Sequence, residues 1–129
     1  MDILLAVNKL DYIGKDNSLP WYCREDLQHF KKMTLNKKLM VGRTTYENLP
    51  PLKNREFIVV GTGYMSLEEA LQEECDYLIG GKKLIDSVLE NHKSIIDKVH
   101  LTIINDYSIG DTKCPDFKDL SITHYHFNC

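Results

Sequence analysis

One acid, Asp26, follows the only tryptophan, Trp21, and precedes Phe30 by four residues. Residues four apart share one side of a helix, so Asp26 and Phe30 would project together at the margin of an apolar stripe. An acid at the edge of an apolar cleft suits a planar ligand with adjacent N–H donors, such as a pterin or a diaminopyrimidine. A plainer account is equally physical: a carboxylate in a first helical turn is stabilised by the helix dipole and free N–H groups. The preceding stretch, Ile13-Gly14-Lys15-Asp16-Asn17-Ser18-Leu19-Pro20-Trp21, reads as a glycine-started loop that ends on a rigid Pro-Trp pair.

Two further segments suit an anion. Gly42-Arg43-Thr44-Thr45 follows an apolar run and opens a helical pattern, where free backbone N–H groups, hydroxyls and a guanidinium can meet phosphate. Ile79-Gly80-Gly81-Lys82-Lys83 repeats that arrangement, its glycines permitting close backbone approach to a pyrophosphate. It lacks the full G-x-G-x-x-G spacing, and each segment alone is also an ordinary βα turn. Arg55, in a Pro/Lys/Asn-rich turn, could clamp a carboxylate or simply face water. Gly110-Asp111-Thr112 reads as a turn.

The elements that must position these residues alternate. Ile3–Val7, Leu39–Val41, Phe57–Val60 and Tyr77–Ile79 are short apolar runs suited to strands buried on both faces. Arg24–Thr34 carries Leu27, Phe30 and Met33 at three-residue spacing, the mark of an amphipathic helix. Arg43–Leu49 and Lys82–Leu89 are further helices, and Ser66-Leu67-Glu68-Glu69 is a capping box that opens another. Val99–Ile104 and Ser121–Phe127 close the chain as two longer strands. The pattern predicts an α/β fold in three layers: a mostly parallel twisted sheet of about seven strands, flanked by helices, with an antiparallel C-terminal edge. Ligands of such sheets sit at the carboxyl ends of the strands.

At 129 residues the sequence predicts a single domain, 1–129. A net charge of −3 gives no footprint for nucleic acid or an anionic membrane. No apolar run approaches the ~20 residues needed to span a bilayer. The start, Asp2-Ile3-Leu4-Leu5-Ala6-Val7, has no basic region before it, so no signal peptide and a cytoplasmic location are expected. Cys23, Cys75, Cys114 and Cys129 are scattered without a C-x-x-C pair, which predicts reduced thiols and no metal. His124 and His126 share a strand face and read as an ordinary surface pair.

Taken in order, these pieces resemble the dihydrofolate reductase family over nearly the whole chain. The family's I-G-x-x-x-x-[LM]-P-W loop is similar to Ile13–Trp21, and its acid-Leu-x-x-Phe helix to Asp26–Phe30. Its T-x-x-K-x-x-[IVM]-[MV]-G-R-x-T-[WY]-E-S segment resembles Thr34–Asn48. Its [VI]-x-G-G element resembles Leu78–Gly81, and G-D-T-x-[FC]-P is similar to Gly110–Pro115. The resemblance implies NADPH as cofactor, dihydrofolate and antifolates as small-molecule ligands, and a monomer. It implies Asp26, Trp21 and Thr102 as catalytic residues. Leu4, Leu5, Leu27, Phe30, Leu49 and Ile79 would line the substrate cleft together with Asp26 and Thr102, and Arg55 would pair with the substrate's glutamate α-carboxylate. Ala6, Ile13, Gly14 and Leu19 would face the nicotinamide. Gly42, Arg43, Thr44, Thr45, Thr62, Gly80, Gly81, Lys82 and Lys83 would hold the rest of the cofactor, with the 14–20 loop as lid.

The chain also departs from that pattern. Val60–Leu78 is shorter than in family members, removing a strand and loop on the adenosine side around 61–66, and the family's final strand is missing. Ile85 stands where an aromatic is common. The resemblance with these departures implies weaker NADPH binding and less discrimination against NADH. A riboflavin-biosynthesis reductase and a non-catalytic nucleotide-binding protein are the alternatives. The acid-bearing helix after Pro-Trp opposes the first, and the joint presence of Trp21, Asp26, Phe30, Arg55 and Thr102 opposes the second.

Overall fold

Side-chain alternation along the first strand divides the core into two faces. Ile3 packs with Met40, Leu78, Ile85, Val88 and Val99, whereas its neighbour Leu4 packs with Leu39, Val41, Val59 and Ile79. The computed structural model describes residues 1–129. In chain order it runs β1 (Asp2–Asn8), β2 (Tyr12–Gly14), α1 (Arg24–Thr34), β3 (Lys38–Gly42), α2 (Arg43–Glu47) and β4 (Glu56–Val60). There follow α3 (Leu67–Ala70), β5 (Tyr77–Leu78), α4 (Lys82–Asn91), β6 (Val99–Ile104), β7 (Thr112–Lys113) and β8 (Ile122–Phe127).

Six strands form one sheet in the order β4-β3-β5-β1-β6-β8, and every neighbouring pair is parallel. Helices α3 and α4 cover one face through Ala70, Leu84, Ile85 and Val88, while Phe30 and Met33 of α1 pack on the other. Each such aliphatic side chain contributes roughly 1.5–3 kcal/mol on burial. Ile85, fully buried, belongs to the α4 side of the sheet, so truncating it to alanine would cost about 2–5 kcal/mol.

The three-layer α/β expectation agrees with this architecture. The main sheet has six strands against the expected seven or so, and β2 and β7 form a separate antiparallel ribbon, Tyr12 opposite Lys113 and Gly14 opposite Thr112. Antiparallel pairing therefore lies in that ribbon, and β8 runs parallel to β6, with Thr102 opposite Tyr125. The long connection after β6 visits β7 and then crosses back, which is what a parallel neighbour requires.

Local sequence explains the helix ends. Helix α1 begins at the N-cap Cys23, whose Sγ accepts the Asp26 N–H, and stops as Asn36 turns into the left-handed region at φ 60°. Helix α3 opens on the expected capping box, with Ser66 and Glu69 bonding reciprocally. One expectation needs correction: Cys23 and Cys129 are joined as a disulfide, with Cα atoms 5.3 Å apart. A separation of 106 residues leaves no spacing motif that could reveal the pairing. No helix is long and apolar enough to cross a membrane.

Candidate active site

Asp26 occupies the first turn of α1 and is only 7% exposed. Burial raises its carboxyl above the ordinary carboxylate range, and the indole of Trp21 partly offsets that. Trp21 is buried with Cys23 and Ile104, and Ala6 and Phe127 pack against them. Its Nε1 makes no hydrogen bond of normal geometry within the protein, yet the indole lies near enough to Asp26 to favour the charged carboxylate. Thr102, 2% exposed, lies opposite Ala6 in register and two residues before Ile104, on the strand face that meets Trp21.

The apolar wall beside the acid comes from both layers. Leu4 and Ile79 lie in the α1-side cluster, with Phe30 and Leu49 packed against it and Leu27 half-buried on α1. Leu5 is turned to the opposite face of the sheet, where it packs against the other cluster, so the fold brings only its backbone to this side.

Arg55 is held from three directions. Its Nε donates to Thr34 Oγ1 at 3.1 Å, Nη1 to Lys53 O at 2.5 Å, and Nη2 to Lys31 O. Thr34 is itself fixed by donating to Phe30 O at 2.8 Å. A guanidinium carries five N–H donors, so one remains on each terminal nitrogen, the pair an end-on carboxylate requires.

A second cradle forms at the carboxyl ends of β3 and β5. The Gly42 N–H donates to Gly80 O at 2.8 Å, and Gly81 N-caps α4, bringing Lys82 and Lys83 into its first turn. A Cβ on Gly81 would lie 2.8 Å from Thr45 Oγ1, so a larger residue there would have to push that hydroxyl aside. The cradle therefore offers backbone amides, a threonine hydroxyl and a helix N-terminus without a side chain in front of them. Arg43 and Thr44 are exposed at its rim, and Thr62 is exposed in the turn after β4. That turn is tight, with Gly61 N–H donating to Met65 O and Tyr64 N–H to Gly61 O, and it leads directly to α3.

The 14–20 loop joins β2 to the Pro20-Trp21 pair and is tied to Asp111. Ile13 and Gly14 are half-buried in β2, and Leu19 is 51% exposed. Lys15 and Ser18 exchange backbone bonds at 2.8 and 2.9 Å around Asp16 and Asn17, both at positive φ, a tight two-residue turn.

Some supporting residues carry no motif of their own. Asn8, 2% exposed at the end of β1, accepts from the Leu10 and Tyr12 amides and donates to Asp106 Oδ2 and Ser108 O. It thus ties the β1–β2 loop to the β6–β7 loop. Burial works against the charge of Asp106, yet the bonds from Asn8 and Ser108 together lower its pKa. Asn8 is a polar residue ending a buried strand, and that position is the one signal available in sequence. Below α1, His100 bonds Asp2 Oδ2 at 2.8 Å and Tyr125 Oη at 3.0 Å, while the His29 ring packs on Tyr125. His124 and His126 stack with centroids 6.5 Å apart on β8.

The comparisons agree with this layout. Residues 1–126 match the family model described as dihydrofolate reductase. The chain is similar to dihydrofolate reductase type 3 of Salmonella typhimurium, with 33% identity over 135 aligned positions covering 93% of this chain and 81% of that protein. The dihydrofolate reductase of Bacillus subtilis strain 168 is also 33% identical, covering 92% of this chain and 77% of its own length. Among solved structures, the Enterococcus faecalis dihydrofolate reductase complexed with NADP(H) and RAB-propyl superimposes with a TM-score of 0.73 at 30% identity. That match covers 91% of this chain and 77% of the solved one.

Proposed function

Because this chain belongs to the dihydrofolate reductase family and is an enzyme of that kind, we propose that it reduces 7,8-dihydrofolate to 5,6,7,8-tetrahydrofolate with NADPH, as one domain spanning 1–129. The observation that carries the reading is Asp26, a buried carboxyl of raised pKa beside the Trp21 indole and the apolar wall of Leu4, Phe30 and Ile79. The cradle of Gly80-Gly81 backed by Thr45 fits a pyrophosphate, so the residues present suit the cofactor.

Ala6 and the cradle would hold NADPH, which when bound would supply the hydride for C6. Asp26 holds the N3 and 2-amino edge of the pterin through its two oxygens. Its raised pKa lets it hold a proton more readily than an ordinary carboxyl does, so the group can assist protonation of N5 as C6 accepts the hydride. The unpartnered Trp21 N–H is placed to orient the water that relays that proton, and the Thr102 hydroxyl supports the carboxylate from behind. Leu4, Leu27, Phe30, Leu49 and Ile79 exclude bulk water and clamp the planar ring, with Leu5 contributing backbone. The two free N–H groups of Arg55 take the glutamate α-carboxylate.

On the cofactor side, Gly42, Arg43, Thr44, Thr45, Gly80, Gly81, Lys82 and Lys83 surround the phosphates, and Thr62 faces the adenosine end. Ile13, Gly14 and Leu19 close over the nicotinamide as part of the lid. Dihydrofolate and antifolates are the small-molecule partners of this site, and a cytoplasmic monomer is the setting that fits it. Consumption of NADPH in the presence of dihydrofolate, measured with the natural protein and with Asp26→Asn, tests the assignment.

A further inference from the structure

Outside the cleft, one cluster of reactive side chains has no part in hydride transfer: Cys23, Cys129 and Glu25. Cys23 is 5% exposed and caps α1, its Sγ accepting the Asp26 N–H at 3.4 Å. Cys129, on the segment after β8, is exposed, and the two Cα atoms lie 5.3 Å apart, within the range a disulfide spans without moving backbone. Glu25 Oε2 lies 3.2 Å from the Cys129 sulfur and 3.7 Å from that of Cys23.

We propose that Cys23 and Cys129 are a thiol–disulfide exchange site that reversibly staples the segment after β8 to the N-cap of the helix carrying Asp26. The partner is a small-molecule disulfide of the glutathione type. The exposed Cys129 thiolate attacks one sulfur of that disulfide and expels a thiolate, leaving a mixed disulfide on Cys129. Cys23 then loses its proton, attacks the Cys129 sulfur and expels the second small thiolate. Two protein thiols are oxidised, one S–S bond is formed and one is broken, and the small disulfide leaves as two thiols.

Cys129 is the entry point because it alone of the pair is open to solvent, and Cys23 resolves because the fold already holds it in reach. Glu25 acts as a brake, since a carboxylate beside a thiol disfavours the attacking thiolate. Cys75 and Cys114 serve as internal controls. Burial pushes both thiols up to about 11, which leaves them protonated and inert near neutral pH. The cap of α1 does not depend on the cross-link, because a Cys23 thiol sulfur can accept the Asp26 N–H as well. The staple instead closes a long loop and ties the chain beyond β8 to Cys23, which packs with Trp21 and Ile104.

The test incubates the folded protein with oxidised glutathione or with dithiothreitol, then counts thiols after denaturation, maps the linked peptides and records Tm. The expected result is a fall from four thiols to two, a 23–129 link, and a Tm raised by about 5–10 °C. Cys129→Ser keeps its thiol count and gains no Tm, and Glu25→Gln forms the link several-fold faster. Four persistent thiols, a glutathione adduct that never resolves, or a link through Cys75 or Cys114 would overturn the exchange site. An unchanged or slower rate in Glu25→Gln would overturn the brake. The readouts are independent of dihydrofolate turnover, so this inference and the functional reading can fail separately.

Discussion

The carboxylate of Asp111 accepts the backbone N–H of Asp16 at 2.8 Å, while the Asp111 amide donates to Gly14 O at 2.9 Å. One residue of the β6–β7 connection therefore holds the start of the 14–20 loop at two points, Gly14 and Asp16. Asp111→Ala should lower the hydride-transfer rate about 10- to 100-fold through a misplaced lid, with little change in Tm. Single-turnover kinetics check this, and an unaltered rate would show that the clasp is dispensable. The Asp16 N–H, helped by the Thr112 hydroxyl, holds the Asp111 carboxyl below its usual range. The clasp is present above the ordinary carboxylate range and is lost only as pH falls through the lowered value, so it should not titrate near neutrality.

Asp26 should make the ligand-free protein less stable as pH rises. Burial raises its folded pKa, so between the unfolded and folded values the native state binds more protons, and stability falls with increasing pH across that window. Asp26→Asn should raise Tm at about pH 8, and the gain should shrink as pH falls and vanish below about pH 3, where the carboxyl is neutral in both states. Paired thermal melts across that range measure it. A gain independent of pH would contradict a buried, titrating acid.

Arg55→Ala should raise the KM for dihydrofolate about 100-fold, the loss of two charge-assisted bonds, while sparing a pterin substrate that lacks the glutamate. The two substrates compared side by side give the answer. Equal losses on both would mean that Arg55 acts by bracing Thr34 and Lys31 rather than by holding a carboxylate.

The adenosine side should be weak. Strand β4 is the sheet edge, and residues 61–65 return at once to α3, so little protein surface is left to meet the adenosine. Steady-state assays should give an NADPH KM above the low micromolar range and only modest preference over NADH. Tight binding with strong NADPH preference would contradict this.

Much of this arrangement is legible in the residues because it rests on local physics. The stripe of Leu27, Phe30 and Met33 sets α1, reciprocal Ser66–Glu69 bonding starts α3, and paired glycines at Gly80-Gly81 mark a close approach of backbone. The features that are not legible depend on distant partners. Tyr12–Gly14 and Thr112–Lys113 are too short to carry a strand period and exist only by pairing with each other. The parallel direction of β8 follows from the path of the preceding crossover, and the Cys23–Cys129 link joins residues that only the folded sheet brings together. The supporting bonds of Asn8 and Asp111 likewise span about a hundred residues of sequence.

The most direct measurement follows NADPH oxidation with dihydrofolate across pH for the natural protein and Asp26→Asn. The expected result is turnover that the substitution largely abolishes near neutral pH, with partial recovery in acid, where the substrate arrives already protonated. Equal rates for the two proteins, or no turnover by a folded protein that still binds NADPH, would contradict Asp26 as the acid of a working reductase.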